Sequence, residues 1–244
     1  MKYEYPSDGT GKIMVHQGLN RVRVFCGILN WAMLLMLCLF FTYCVTHDVK
    51  VVVGESMQPT INSSWDNDTQ YDLVILNKAS NISRGDIIIV DFSDYGSNDL
   101  LIIKRVIAVA GDTINIQWDD ESQNVVINLK KAGSDETEIL AEDYIKQENY
   151  PLSLEVNSYC ASSFQAKSDN YGGWINSESY TNLDGSITIP DGYFFALGDN
   201  RELSLDCSEV GPLSVNTIVG VVDTIVPNGT FLNNILRNVF GIRL

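Results

Sequence analysis

The chain has 244 residues, with 16 Lys and Arg against 31 Asp and Glu and a net charge of −15, which allows one domain or two small ones. This acidic balance argues against a nucleic-acid partner, because such a partner needs a basic face. The histidines and cysteines show no metal-ligand spacing, so we expect neither a metal nor another cofactor.

The first predicted element is a transmembrane helix. Residues 24–46 contain no charged side chain, and this length is sufficient for a helix to cross a hydrocarbon core of about 30 Å. A cleaved secretory signal is the alternative, but its apolar region would be only about 7–15 residues long. Basic residues precede the span, so we expect a cytoplasmic tail at 1–20, a single-pass anchor at 21–47 and the remainder outside the cytoplasm.

Short apolar segments separated by turn residues follow the anchor. They are rich in β-branched and aromatic residues and lie at 51–53, 72–76, 87–92, 100–110, 113–116, 187–189, 193–197 and 218–225. Short strands in this arrangement predict an antiparallel β domain and not alternating β-α-β units. We therefore expect a mainly β fold whose core is formed by 48–116 and 187–226.

Residues 117–186 differ from this core in composition. They hold 13 acidic and 4 basic residues with many Ser, Asn, Gly and Tyr, which indicates an inserted, smaller β-rich lobe. In the tail at 227–244, apolar residues recur at helical intervals, and such a helix could lie on the membrane surface or pack against the domain's own core. Cys160 and Cys207 both lie outside the membrane, where they could form a disulfide or remain free thiols.

Ser56 is a candidate nucleophile. It lies in Gly54-Glu55-Ser56-Met57-Gln58-Pro59-Thr60, and the part of the chain beyond the span has a single histidine, His47, at the end of the anchor. A serine hydroxyl needs a base to take its proton during attack. Since histidine is almost absent, Lys104 is the better candidate for that base.

Lys104 can serve as a base if its amine is neutral, which requires its pKa to fall. Burial among apolar groups lowers a lysine pKa because it disfavours the charged form. In a strand over 100–110, the face of Lys104 also carries Ile102, Val106 and Ala108. Taken alone, Lys104 has the ordinary explanation of a strand lysine whose amine lies in water. Ser56 alone has the ordinary explanation of a serine in a turn.

Four segments in a fixed order favour the catalytic interpretation. They are Gly54 to Thr60, then Arg84-Gly85-Asp86-Ile87-Ile88, then Lys104 to Asp112, and last Gly198 to Asp206 with Gly211. This ordered set behind an anchor resembles bacterial type I signal peptidases, the membrane-bound Ser-Lys leader peptidases. The resemblance covers the anchor, 50–116 and 187–225, and does not extend into 117–186 or the tail.

The resemblance implies a role for each matching residue. Ser56 would be the acylating nucleophile, Lys104 the general base for acylation and deacylation, and Ser204 the hydroxyl that orients the lysine amine. The turn that presents the nucleophile would involve Gly54, Met57 and Pro59. The residues that hold the site together would be Arg105, Asp199, Asn200 and Asp206.

Two positions depart from the family pattern. Gly54 stands where some members carry a hydroxyl that donates to the oxyanion, although many members have glycine there. The last segment usually continues Asp-Ser-Arg, whereas this chain has Asp206-Cys207-Ser208. Either Arg105 compensates for the missing arginine, or the support around the lysine is looser.

The function implied by the resemblance is that of a serine endopeptidase, a signal peptidase I. It would remove signal peptides from secreted preproteins on the outer face of the cytoplasmic membrane, with those signal peptides and the lipid bilayer as its partners. The main alternative is a non-catalytic, signal-peptidase-like assembly factor for surface structures such as pili, but such proteins lose the Ser-Lys pair. A self-cleaving repressor would lack the span, and a plain anchored binding domain leaves the four segments unexplained.

Overall fold

The structure is a computed structural model that describes residues 10–62, 71–93, 100–119, 124–145, 169, 173–174, 177, 180–201 and 203–242. The chain divides into two units, of which the first ends at His47 and the second begins at Asp48. Cys160 lies outside the described residues. Cys207, the other cysteine of the possible disulfide, is a buried free thiol.

The first unit consists of helix α1 (Thr10–Thr46). Within it, Arg21–Thr46 is long and apolar enough to cross a membrane, and its apolar side chains, such as Phe25 and Leu35, are exposed. A helix that is apolar on all sides is typical of a membrane span. Residues 10–20, which lie in the segment predicted as the cytoplasmic tail, are also helical.

The second unit contains a seven-stranded sheet in the order β1-β2-β11-β3-β4-β9-β10. The pairs from β2 to β10 are antiparallel, as the short strands and turns predict. The bounds of these strands are β1 His47–Val51, β2 Leu73–Asn77, β3 Ile87–Asp91, β4 Leu101–Val109, β9 Tyr193–Leu197, β10 Leu213–Ser214 and β11 Ile218–Val226.

A smaller, four-stranded antiparallel sheet has the order β7-β6-β5-β8. Its strands are β5 Thr113–Asp119, β6 Asn124–Lys130, β7 Thr137–Ile139 and β8 Ile187–Thr188. The smaller sheet therefore extends past both predicted ends of the insert, because β5 begins before 117 and β8 follows 186. The insert is nevertheless joined to the core, since Ile127, Leu129 and Trp174 belong to the same apolar cluster as Phe194 and Phe195.

Apolar side chains cover both faces of the larger sheet. On β3, Ile88 and Val90 belong to one cluster, whereas Ile89 belongs to a second cluster with Met57 and Ile61. Because neighbouring side chains of a strand point to opposite faces, the two clusters lie on the two sides of the sheet. The core strand β4, between β3 and β9, is therefore enclosed from both sides.

Two α-helices follow β9 in the described residues. The four-residue helix α2 (Cys207–Val210) begins after the N-cap Asp206, and α3 (Phe231–Phe240) begins after the N-cap Thr230. Helix α3 contacts the domain through polar groups, because Asn233 Nδ2 donates to Val226 O and Arg237 donates to Tyr71 O. Its large apolar side chains are exposed: Phe231, Leu232, Ile235, Val239 and Phe240.

Candidate active site

Ser56 and Lys104 lie in direct contact. The Nζ atom of Lys104 is 2.9 Å from Ser56 Oγ and donates to Ile103 O at 2.7 Å. Lys104 is 3% exposed, because it sits on the enclosed strand β4 directly opposite Ile88 of β3. Ser56 is partly exposed in its loop. The arrangement thus combines an accessible hydroxyl with a buried amine at hydrogen-bond distance.

The strand that carries Lys104 departs from the predicted alternation in its second half. A β-bulge lies between Val106 and Ala108 in the pairing with β9. Val106, Ile107 and Ala108 consequently all contribute to one apolar cluster. The face shared with Lys104 therefore continues regularly only as far as Val106, because a bulge places an extra residue in one strand.

The loop that presents Ser56 is short and partly buried. Gly54 has a φ of 107°, a conformation that residues with a side chain rarely adopt. Met57 is buried in the second apolar cluster, and Ile61 N donates to Met57 O. Pro59 follows a cis peptide bond. Gly54, Met57 and Pro59 thus form the turn around Ser56.

Asn62 closes this loop, although the sequence analysis gave it no role. Its side-chain nitrogen donates to Val52 O at 2.9 Å and Gly54 O at 3.1 Å, and its Oδ1 accepts from Asp72 N. It is buried and has a positive φ of 58°. Asn tolerates that region better than most residues. Sequence reasoning could have found it only from an asparagine at a loop end.

Arg105, which follows Lys104 on β4, forms a bidentate ion pair with Asp199. Arg105 Nε and Nη2 donate to the two oxygens of Asp199 at 2.8 and 2.7 Å, and Thr60 Oγ1 donates to Asp199 Oδ2. Burial alone would lower the pKa of Arg105, but its hydrogen bonds to Asp199 raise that pKa above its usual value. The ion pair therefore stays charged and joins strand β4 to the Ser56 loop through Thr60.

The segment after β9 packs directly on Ser56. Asn200 N donates to Ser56 O at 3.0 Å. Gly198 lies so close to this site that a Cβ atom there would be 2.2 Å from Ser204 Oγ and 2.5 Å from Ser56 O. Ser204 is buried. The family residues Asn200 and Ser204 are thus brought to the Ser56 backbone, with Gly198 filling the space between them.

Asp206 is held by backbone groups. Its Oδ2 accepts from Gly198 N at 2.9 Å and its Oδ1 from Ser208 N at 2.9 Å. Arg105 pairs with Asp199, so it does not compensate at Asp206 for the missing family arginine. Instead, the two backbone N–H groups donate to Asp206, and such donors satisfy the hydrogen-bonding capacity of a carboxylate. The adjoining Cys207 thiol has a pKa raised by burial.

The smaller lobe reaches this region through two side chains that the sequence analysis missed. Glu142 forms an ion pair with Arg201, whose Nε donates to Gly198 O at 3.1 Å. Tyr144 donates to Glu142 at 2.7 Å and places its ring 4.0 Å from the guanidinium of Arg105. Neither residue lies in one of the four segments that carry the resemblance in the sequence. In the described part of the chain, no group of three His, Cys, Asp or Glu could hold a metal ion.

Comparison with known proteins identifies relatives of this chain. The family model described as "Signal peptidase, peptidase S26" matches residues 26–226. Signal peptidase I of Streptococcus pneumoniae serotype 4 (strain ATCC BAA-334 / TIGR4) is 30% identical over 176 residues, which is 69% of this chain and 76% of that protein. Signal peptidase I P of Bacillus subtilis subsp. natto is 25% identical over 206 residues, or 81% and 88%. A crystal structure of a signal peptidase I from Enterococcus faecalis V583 covers 58% of this chain and 97% of its own at 23% identity, with a TM-score of 0.35.

Proposed function

The chain belongs to the signal peptidase S26 family, and on that premise we propose that it is a membrane-bound serine endopeptidase that removes signal peptides from secreted preproteins with Ser56 and Lys104. The observation that carries this proposal is the 2.9 Å contact between Lys104 Nζ and Ser56 Oγ. The burial of the lysine supports it as well, because burial favours the neutral amine that a general base must have.

In the first half of the reaction, Ser56 Oγ attacks the carbonyl carbon of the scissile peptide bond while Lys104 Nζ takes its proton. The carbonyl oxygen becomes an oxyanion, to which the backbone N–H of Ser56 donates. Donors aimed at such an oxyanion are among the largest contributors to acyl transfer. The C–N bond then breaks, and Lys104 returns the proton to the amine of the departing mature protein. The signal peptide remains as an ester on Ser56.

In the second half, water attacks the ester carbonyl and Lys104 takes its proton. Ser56 Oγ leaves and regains a proton from the lysine, and the signal peptide is released as a carboxylic acid that loses its remaining proton to water. The surrounding contacts hold the reacting groups in position. The Arg105–Asp199 pair holds Thr60, and Asn200 holds Ser56 O. Correct placement of reacting groups contributes strongly to rate, and about 1 Å of misplacement can cost about 100-fold.

The membrane placement is part of the same proposal. Helix α1 spans the cytoplasmic membrane with its N-terminus inside, since the basic residues lie before the span. About ten residues separate Thr46 from Ser56, so the chain keeps the nucleophile within about 35 Å of the end of the span at 3.3–3.6 Å for each residue. A preprotein whose signal helix lies in the bilayer can present its cleavage segment within that distance.

Cleavage of a model preprotein by the detergent-solubilised full chain tests the proposal. Ser56→Ala and Lys104→Ala should each abolish cleavage while melting temperature stays near that of the wild type, and the new N-terminus of the product should follow a small residue. Lys131→Ala is the matched control, because that lysine pairs with Glu138 at the surface of the lobe. Retained cleavage in Lys104→Ala would refute the mechanism. A folded wild type that cleaves none of several preproteins would favour the assembly-factor alternative.

We also propose that the exposed apolar face of α3 lies on the same bilayer. The polar residues of α3 already bind the domain, and its apolar side chains are left outward. The chain has no acidic residue after Asp223, in contrast to the acidic remainder of the domain, so this segment is not repelled by anionic lipids. Lipids with a photoreactive acyl chain, used with the full chain in nanodiscs, should label 231–240. Labelling of α1 alone would contradict the proposal.

A further inference from the structure

A turn of the smaller lobe contacts both arginines beside the catalytic pair. Arg105 and Arg201 are both largely buried, with side chains 12% and 8% exposed. Their positive charges repel each other, and the charge of Arg201 acts to lower the pKa of Arg105. Each buried cation therefore needs a carboxylate. Asp199 pairs with Arg105, and Glu142 from the lobe pairs with Arg201.

Tyr144 joins the two ion pairs into one unit. Its hydroxyl donates to Glu142 Oε1 at 2.7 Å, and its ring lies 4.0 Å from the guanidinium carbon of Arg105. A cation over an aromatic face is attracted by the ring, more strongly when water is excluded. Burial, with the charge of Glu142, raises the pKa of the Tyr144 hydroxyl, so the ring stays neutral and the contact persists at all physiological pH values.

The ion pair of the lobe is connected to the nucleophile by backbone contacts. Arg201 Nε donates to Gly198 O, and Asn200 N donates to Ser56 O. Residues 198–201 are therefore held by the lobe on one side and hold the Ser56 carbonyl on the other. A rotation of this segment would move the Ser56 backbone relative to Lys104, which is fixed on β4.

We propose that Glu142 and Tyr144 are positioning residues, through which the smaller lobe sets the distance between Ser56 and Lys104. This inference rests on the proposed function. The lobe has a separate attachment to the core through Ile127, Leu129 and Trp174. Losing the contacts of Glu142 and Tyr144 should therefore disturb the active-site geometry more than the fold.

The test measures kcat, KM and melting temperature for Glu142→Gln and Tyr144→Leu, with the full chain and one model preprotein. We expect kcat to fall about 10-fold or more in each variant, since small displacements of reacting groups have large effects on rate. KM should stay within about two-fold of the wild-type value, because neither residue is placed at the substrate. Tyr144→Phe keeps the ring on Arg105 and should lose less activity than Tyr144→Leu. Glu138→Gln is the matched control, since Glu138 belongs to the same lobe and its ion pair with Lys131 is exposed.

The pH dependence of kcat separates positioning from simple loss of folded protein. A changed Ser56–Lys104 distance alters the pH profile of kcat per folded molecule, whereas a smaller folded fraction leaves that normalised profile unchanged. Wild-type kcat and an unchanged profile in the folded fraction of both variants would overturn the inference. If Glu142→Gln does not fold, Tyr144→Leu, which retains the Arg201 ion pair, decides in the same way. A wild type that cleaves no preprotein would instead refute the proposed function, so the two failures are distinguishable.

Discussion

A methyl group at Gly198 should disable the active site with only a moderate loss of stability. The Cβ of Gly198→Ala would lie 2.2 Å from Ser204 Oγ, 2.5 Å from Ser204 Cβ and 2.5 Å from Ser56 O, whereas ordinary contacts begin at 3.4 Å. The neighbouring groups must therefore move by about 1 Å. Gly198 has no positive φ, so backbone strain adds nothing and the contact alone is tested.

The expected magnitudes follow from this displacement. Overpacking of a filled site costs about 1–3 kcal/mol of unfolding free energy, which lowers the melting temperature by roughly 2–12 °C for a domain of this size. The effect on catalysis should be larger, because about 1 Å of misplacement can reduce the rate about 100-fold. Preprotein cleavage and thermal unfolding of the same preparations measure both quantities.

Gly192→Ala provides the control for stability. Gly192 has a positive φ of 79°, and a Cβ atom added there would meet no other atom within 4 Å, so alanine strains the backbone by about 1–3 kcal/mol without touching the site. We expect it to lower the melting temperature and leave kcat unchanged. Wild-type kcat in Gly198→Ala would show that the Ser56 carbonyl and Ser204 do not need their observed positions, and would refute the reasoning.

Substitutions at three further positions test other contacts. Asn62→Gly keeps the positive φ but removes the bonds to Val52 O and Gly54 O, so unfolding free energy should fall by about 1–3 kcal/mol and kcat should fall with it; unchanged urea unfolding would count against this. Asp206→Ser should keep the N-cap of α2 but lose the bond to Gly198 N, whereas Asp206→Ala loses both and should be about 1 kcal/mol less stable than Asp206→Ser. For buried Asp112, burial raises the pKa, but bonds from Arg84 and from two backbone N–H groups outweigh it and hold the pKa below its usual value. The ionised Asp112 therefore stabilises the fold at pH values above its pKa in the unfolded chain, near 4, and this stabilisation is lost as the pH falls through the folded pKa. The stability difference between wild type and Asp112→Asn should shrink from pH 7 to pH 3. A constant difference would contradict this.

The sequence alone predicts the span and the central strands of the larger sheet, because both depend on local composition. An uncharged stretch is long enough for a bilayer whatever surrounds it, and β3, β4, β9 and β11 are apolar runs bounded by turn residues. Strands β6 and β7 were not predicted individually, because they lie in an insert rich in polar residues and are ordered by pairing, β6 with β5 and β7 with β6. The helical conformation of residues 10–20 was likewise missed, because Gly and polar residues there suggest a tail.

At the active site, the sequence determined which residue types could do the chemistry. A chain with one histidine beyond its span needs another base for Ser56, and the order of the four segments identified Lys104, Arg105, Asp199 and Asn200 as the group to examine. These predictions depend only on chemical capacity and on order along the chain.

Only the tertiary structure decided which residues contact one another. The partner of Arg105 is Asp199 and that of Asp206 is the backbone, a choice that depends on distances across strands and not on spacing along the chain. Glu142 and Tyr144 reach the site from a segment whose composition suggested a separate lobe. Contacts between residues far apart in sequence are fixed by the packing of two sheets, and no local pattern carries that information.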